Sequence, residues 1–254
     1  MRIKQLGNGG GLDPLATNSS FLIDVSNEID ETSYILFDCG HNIMRKLIEL
    51  EEEGVIKIED IKHVFISHLH DDHVGNLETL IYYQYFKNNV VMNVYSGEGI
   101  ENKLRCKISE LNFLYDNGKN VSIILAKYIV IDDTYCVIHP DISHIQMTSV
   151  KGYHGNSQSY GLILVDNETQ FKIFISGDTR GYSDIEKKVN SIVNQYDKRC
   201  LLFHDFSEWD CPEKNVHMCD TNMNEEYSPE FINNLLFYHT NKKFNSDWIE
   251  VANN

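Results

Sequence analysis

Residues 68 to 73 read His68-Leu69-His70-Asp71-Asp72-His73, five candidate metal ligands in six positions. They follow the apolar run Val64-Phe65-Ile66, the end of a buried strand expected from Ile61 to Ile66. Three imidazoles and two carboxylates behind a buried strand point to divalent metal, which uses both donor types. His68 and His70, two apart in extended backbone, face one side. Asp72 and His73 lie beyond the bend and can face a second point. One loop can thus feed two cations about 3.5–4 Å apart, the separation used in two-metal hydrolysis.

Two cations need further ligands, each in a loop just past a strand. His154 lies in Lys151-Gly152-Tyr153-His154-Gly155-Asn156-Ser157, between two expected strands. Asp178 follows the strand Phe171 to Ile175 in Ser176-Gly177-Asp178-Thr179. A carboxylate can bridge two cations where an imidazole cannot. His239 follows the apolar run Leu235-Leu236-Phe237-Tyr238. Mixed imidazole and carboxylate donors suit zinc best and also admit manganese. Ser157 and Ser159, beside His154, could donate to phosphate oxygens, or they could simply open a strand.

The elements that must position these groups can be read from periodicity and turn residues. A short strand from residue 3 runs into the glycine-rich loop Gly7-Asn8-Gly9-Gly10-Gly11, whose use is to let backbone pass close to something. Ser19 to Val25 and Ser33 to Phe37 read as paired strands. Ile43 to Glu53 reads as an amphipathic helix stopped by Gly54. A helix starts at or just after Asp72-His73, and Val90 to Tyr95 is a strand. Glu98 to Tyr115 reads as mainly helical. Short strands are expected at Val121 to Leu125, Tyr128 to Ile131, Tyr135 to Ile138, Ile145 to Val150 and Tyr160 to Val165. Ile185 to Tyr196 reads as a helix and Cys200 to Phe203 as a strand. Asn215 to Glu226 reads as a polar loop and Ser228 to Phe237 as a short helix. Strand runs separated by helices predict two sheets with helices outside, a layered α/β sandwich in one domain.

The chain has 254 residues, 42% of them hydrophobic, enough for a full core. The net charge is -16, from 38 acidic and 22 basic residues. That balance makes long nucleic acid a poor partner, because phosphate binding depends on basic surface. Six cysteines (Cys39, Cys106, Cys136, Cys200, Cys211, Cys219) show no Cys-x-x-Cys pair and read as reduced thiols in the cytoplasm. No apolar run is long enough to span a bilayer, so no membrane association is expected.

The order His-x-His-x-Asp-His, His154, Asp178, His239 resembles the metallo-β-lactamase superfamily over nearly the whole chain. The resemblance implies a four-layer αββα sandwich as a single domain over residues 1–254. It places His68, His70 and His154 on a first cation and Asp72, His73 and His239 on a second, with Asp178 bridging. Leu6-Gly7-Asn8-Gly9-Gly10, Asn18-Ser19-Ser20-Phe21-Leu22, Ser176-Gly177-Asp178-Thr179 and Leu201-Leu202-Phe203-His204-Asp205 resemble the tRNase Z-like phosphodiesterase branch. In that branch a further histidine, held by an acidic residue, is the general acid. The matching pair here is His217 and Asp205, with Asp in place of the usual Glu. Asp72 is also implied to orient the nucleophile. His204 reads as structural or orienting, and Asp71 as solvated or supporting. His41, His63, His139 and His144 fit no ligand slot.

Two departures narrow the reading. His154 and Asp178 are 24 positions apart, which leaves no room for the tRNA-gripping arm that tRNase Z enzymes insert there. The acidic charge also disfavours tRNA. The pattern is similar to small armless relatives, among them the phage anti-Pycsar phosphodiesterases, which destroy cyclic pyrimidine nucleotide signals of bacterial defence. The resemblance implies a homodimeric, two-metal hydrolase that opens 3′,5′-cyclic nucleotides to linear monophosphates. RNA 3′-processing and β-lactam or thioester hydrolysis are the rival activities. A non-catalytic protein that sequesters a nucleotide is the rival of another class.

Overall fold

A computed structural model describes residues 1–13, 15–27, 32–108, 113–116, 119–122, 124–193, 199–208, 215–242, 244 and 246–250. The first half comprises β1 (Arg2–Gly7), β2 (Ser20–Asp24), β3 (Tyr34–Phe37), α1 (Ile43–Glu52), β4 (Ile61–Ile66), α2 (Asp71–Val74), α3 (Leu77–Asn88), β5 (Met92–Ser96) and α4 (Glu101–Ile108). A hairpin of β6 (Phe113–Asp116) and β7 (Lys119–Ser122) precedes β8 (Ala126–Val130) and β9 (Val137–Ile138). There follow β10 (Ile145–His154), β11 (Ser157–Asp166), β12 (Lys172–Ile175), α5 (Ser183–Ile192) and β13 (Cys200–Asp205). The last elements are α6 (Asp220–Glu226), α7 (Pro229–Ile232), β14 (Leu235–Tyr238) and β15 (Ile249–Glu250).

Among the described residues, one sheet has the order β15-β1-β2-β3-β4-β5-β8 and a second β14-β13-β12-β11-β10-β9. Both are mixed, with β3, β4, β5 and β8 parallel in the first and β12, β13 and β14 parallel in the second. The central strands β2, β3, β4 and β12 are buried on both faces along nearly their whole length, so they read as nearly continuous apolar runs. Strand β11 shows the division. Leu162 and Leu164 join the large cluster that also takes Phe21, Ile35 and Phe65 from the first sheet. Ile163, between them, points the other way and packs with Ile185 and Val189 of α5, Met223 of α6 and Phe231 of α7. Helices α1 and α3 bury Leu47, Leu77 and Ile81 in the large cluster. Two sheets with flanking helices make the expected α/β sandwich.

Three expectations about elements are corrected. Ser228 to Phe237 is not one helix. Ser228 caps the single turn Pro229–Ile232, accepting from Phe231 N, and Leu235–Tyr238 then pairs in parallel with Leu202 to Asp205. A short apolar run suits a buried strand as well as a helix, and pairing decided it. The helix within Glu98 to Tyr115 is confined to Glu101–Ile108, and Phe113–Asp116 is a strand because Lys119–Ser122 folds back on it; residues 109–112 lie outside the described set. The expected loop at 215 to 226 contains α6, whose apolar signal is reduced to Met223. Cys211, and residues 194–198 of the helix expected to Tyr196, also lie outside the described residues. No helix among the described residues is long and apolar enough to cross a membrane.

Phe21 joins the sheets. Its ring lies 4.9 Å from that of Phe203 and 5.0 Å from that of Tyr238, both in the second sheet. Replacing it with alanine removes contacts on two elements at once. Phe21→Ala is expected to lower unfolding free energy by about 3–5 kcal/mol, read from urea melts. A loss below about 1 kcal/mol would mean that the two sheets do not depend on this contact.

Candidate metal centre

The site stands where strand ends of both sheets meet. Strands β3 and β4 are parallel, so the residues just past them are neighbours. Asp38, past β3, is fully buried and has φ 59°, a left-handed conformation that Asp tolerates better than most residues. Its carboxylate accepts from Ser67 N at 2.7 Å, Ser67 Oγ at 2.7 Å and His73 Nδ1 at 2.7 Å. Since Ser67 Oγ donates to Asp38, it accepts from His68 Nδ1 at 3.1 Å. One carboxylate therefore engages Nδ1 of His73 directly and of His68 through Ser67, which turns the Nε2 of each toward the centre. Backbone bonds Cys39 N to His73 O and Asn76 N to Cys39 O tie this loop to α2. Gly40 completes the fit, because a Cβ there would stand 1.8 Å from Asp72 O.

The second sheet brings the other donors. His154 ends β10, and its Nδ1 donates to Val216 O at 3.1 Å, which turns Nε2 inward. Asp178 lies three residues past the end of β12 and is 1% exposed. His239 follows β14 at φ 66°, its N–H donating to Asn8 Oδ1 at 2.6 Å. The glycine-rich loop is the close approach expected of it: a Cβ on Gly10 would meet His239 at 3.0 Å, and one on Gly11 would meet Asp72 at 3.1 Å.

The seven side chains singled out from the sequence converge in two groups. In the first, His70 Nδ1 lies 2.9 Å from His68 Nε2 and 3.1 Å from His154 Nε2. Tetrahedral zinc with bonds of about 2.0–2.1 Å places its ligands about 3.3 Å apart, so this triad is close to a zinc-sized cradle. The second group is Asp72, His73, Asp178 and His239, with one donor atom from each within 4.8 Å of the others. Asp178 Oδ2 lies between the groups, 3.2 Å from His73 Nε2, 3.8 Å from His239 Nε2, 3.8 Å from His154 Nε2 and 3.9 Å from His68 Nε2.

The donor set fits divalent cations on two observations. His73 Nε2, His239 Nε2 and Asp178 Oδ1 are buried without a hydrogen-bond partner, an arrangement that proteins avoid unless something else satisfies the atoms. Asp38, Asp72, Asp178 and Asp205 also crowd together, and their ion pairs among the described residues are all with histidines. Four carboxylates in so small a volume require compensating positive charge, which protonated His73, His217 and His239 supply here and which bound cations would replace at His73 and His239. Burial keeps His68 and His154 below the ordinary imidazole range, so their ring nitrogens are available as ligands. Burial opposes ionisation of Asp178, but His239, His73 and His217 outweigh it and hold the carboxyl well below its usual range.

His217 and Asp205 stand beside the second group. His217 Nδ1 donates to Asp205 Oδ2 at 2.8 Å, and Thr179 N donates to the same oxygen at 2.9 Å. The imidazole stacks on His239 at 4.8 Å between ring centroids. Burial opposes its charge, but Asp205 and Asp178 prevail and push His217 up to about 9. These two residues share Asp178 and His239 with a further set of converging donors. Their mutual bond engages the Nδ1 proton of His217, so in the imidazolium the Nε2 proton is the one left to give.

The remaining candidates are placed differently. Ser157 Oγ lies 3.2 Å from His70 Nε2, so it braces a ligand candidate. Ser159 is fully buried and its hydroxyl has no partner. His204 is buried between Asp205 O and the Tyr227 hydroxyl, at 2.8 and 2.9 Å. Asp71 is exposed and pairs with Lys107 at 3.1 Å. The sequence reading gave no role to Asp38, Ser67, Asn8 or Gly40. A signal for Asp38 was present, since Ile35-Leu36-Phe37 followed by Asp38 repeats the strand-then-carboxylate pattern that drew attention to Asp178.

The fold and this site define a metallo-β-lactamase-fold protein. The chain superposes on human tRNase Z, short form, with a TM-score of 0.70 and 17% identity, over 99% of this chain and 100% of that one. For the metallo-β-lactamase fold protein YhfI from Bacillus subtilis the TM-score is 0.65 at 16% identity, over 94% and 85%. For unliganded yeast PDE1 it is 0.64 at 13%, over 97% and 89%. A family model described as Anti-Pycsar protein Apyc1 matches residues 1–252, and the chain belongs to that family. Ribonuclease Z of Streptococcus agalactiae serotype Ia is 33% identical over 105 residues, 40% of this chain and 32% of that protein. Ribonuclease Z of Streptococcus sanguinis is 32% identical over 124 residues, 46% and 38%. The matched part spans about a third of the length of these curated relatives.

The Asp38 network makes a direct prediction. Asp38→Asn keeps the size and the left-handed backbone but replaces one acceptor oxygen with a donor. Metal affinity is expected to fall about 10–100-fold, with the circular dichroism spectrum unchanged. Unaltered affinity in a zinc competition assay would remove Asp38 from the role of orienting His68 and His73.

Proposed function

We propose that this protein is a two-metal phosphodiesterase that hydrolyses 3′,5′-cyclic nucleotides to linear monophosphates and so removes a nucleotide signal of bacterial antiviral defence. The observation that carries the reading is the His217–Asp205 pair set against the seven converging donors in a chain of the Anti-Pycsar family. His68, His70 and His154 would hold one cation, Asp72, His73 and His239 the other, and Asp178 both. Zinc suits these donors best, with manganese as the second choice. When bound, the cations supply a nucleophile at neutral pH and a positive field for the phosphoryl oxygens. The rest is done by the chain. Asp38 and Ser67 aim two imidazoles, Val216 O aims a third, and Ser157 braces His70. Asp72 would orient the attacking water. His217 holds a proton at Nε2 for the departing ribose oxygen, and Asp205 keeps that proton in place.

A cyclic mononucleotide carries one negative charge, so it does not require the broad basic face that RNA does. Cytidine and uridine 3′,5′-cyclic monophosphates are the first substrates to try, followed by the adenosine and guanosine forms. The working unit is proposed to be a homodimer. Leu12 and Leu15 are fully exposed on the loop whose Gly11 lies against Asp72, where a second copy would cover them. RNA 3′ processing is the second reading, favoured by the ribonuclease Z similarity and opposed by the -16 charge.

The test is a chromatographic panel of cyclic nucleotides, pre-tRNA and a β-lactam with zinc-loaded protein. Linear monophosphate is expected, and it should disappear on chelation and in Asp178→Ala. Pre-tRNA cleavage with intact cyclic nucleotides would establish the second reading, and binding without product would indicate a sequestering protein. His217→Ala is expected to keep nucleotide binding and lose about 10²–10⁴-fold in turnover. Because the acid works only when protonated, activity should fall as pH rises through its pKa, and that limb should vanish in the variant. Normal turnover in His217→Ala would exclude the general-acid role.

A further inference from the structure

We propose that His63, His139 and Asp141 form a separate structural site for a zinc-class divalent cation, at the opposite end of β4 from the metal centre. Strand β4 carries His63 near its start, while His68 follows its end. Five residues of extended chain set the two about 16 Å apart. His63 is fully buried, and its Nδ1 is engaged by the Tyr95 hydroxyl at 3.0 Å. Its Nε2 is buried with no hydrogen-bond partner. That orphaned nitrogen is the observation that distinguishes this cluster from a histidine satisfied in the core.

The ring of His139 stands edge-on to His63, with centroids 5.0 Å apart. Asp141 Oδ2 lies 3.7 Å from His139 Nδ1. One donor atom from each of the three residues lies within 4.8 Å of the others. The 3-10 turn Pro140–Ile142 makes this possible, since it bends the chain so that two side chains two apart face one point. The His139 Nδ1 bond from Asp141 N is long, at 3.2 Å, and is the one contact a cation on that nitrogen would displace. Two imidazoles and a carboxylate are a borderline donor set that takes zinc-class ions ahead of calcium or magnesium. Asp141 is exposed, which leaves water to complete the coordination.

The site would link the two sheets. His63 belongs to the middle of the first sheet, and His139 to Asp141 join β9 to β10 of the second. A cation held there cross-links segments more than seventy residues apart in the chain, and its binding energy adds to folding. None of the three residues is shared with the metal centre, so the two sites can be separated by mutation.

The experiment compares zinc content, by elemental analysis after equilibrium dialysis, in the wild type and in His139→Ala/Asp141→Asn. The double variant is expected to hold one zinc fewer per chain, to lose part of the zinc-dependent rise in melting temperature, and to retain catalytic turnover. Equal zinc content in the two proteins would overturn the proposal. Loss of turnover together with the lost zinc would also overturn it, because the ion would then belong to the metal centre. Asp141→Asn alone, a change on an exposed turn, gives the same comparison through weakened zinc affinity if the double variant does not fold.

Discussion

The buried carboxylate of Asp38 is the constraint on which the site rests. A carboxylate with no water around it must be hydrogen-bonded to be tolerated. Asp38 meets this with three donors, and two of those bonds reach imidazoles, one directly and one through Ser67. Burial pushes the carboxyl up, while His73 and Ser67 act to keep it ionised. Because the same group fixes a histidine on each side of the centre, the two donor groups cannot be oriented independently. The strand pairing of β3 with β4 is what makes this possible, and the core packed between the sheets holds that pairing.

Much of the centre was legible in the sequence because metal sites on this fold use chemically conspicuous residues at strand ends. The spacing of His68, His70, Asp72 and His73 needs no structure to suggest converging ligands. His154, Asp178 and His239 could be picked out by what precedes them. Asp38 and Asn8 were harder, since each acts through a partner that only folding brings near: Ser67 across a parallel ladder, and His239 from the far end of the chain. The misread segment at Leu235 to Tyr238 has the same origin. Four apolar residues carry no period, and their strand character comes from the neighbouring β13. The expectation of two sheets with outer helices was met, because the central strands, buried on both faces, show as apolar runs between helical periods.

Charge separates the long-range from the local properties of this molecule. At -16 the whole chain repels polyanions at a distance. Close to the centre the pattern is different. Lys107 pairs with Asp71, next to His70 in sequence, and Lys103 donates to Gln158, next to Ser157. Both lysines lie on α4, so this helix lines the His70 side of the centre with positive charge, and His70 is the ligand candidate most open to solvent. The local charge at this edge therefore differs in sign from the net charge of the chain.

The bond from His239 N to Asn8 Oδ1 spans 231 positions. Asn8 also binds Thr240 and the Lys242 carbonyl, so the first loop of the chain and the segment past the last long strand are fastened together at the metal centre. During synthesis, residues 8 and 68 to 73 are available long before residue 239 has left the ribosome. A chain cut before β14 would keep Asn8 and residues 68 to 73 but lack both the strand that pairs with β13 and the imidazole that closes the second group.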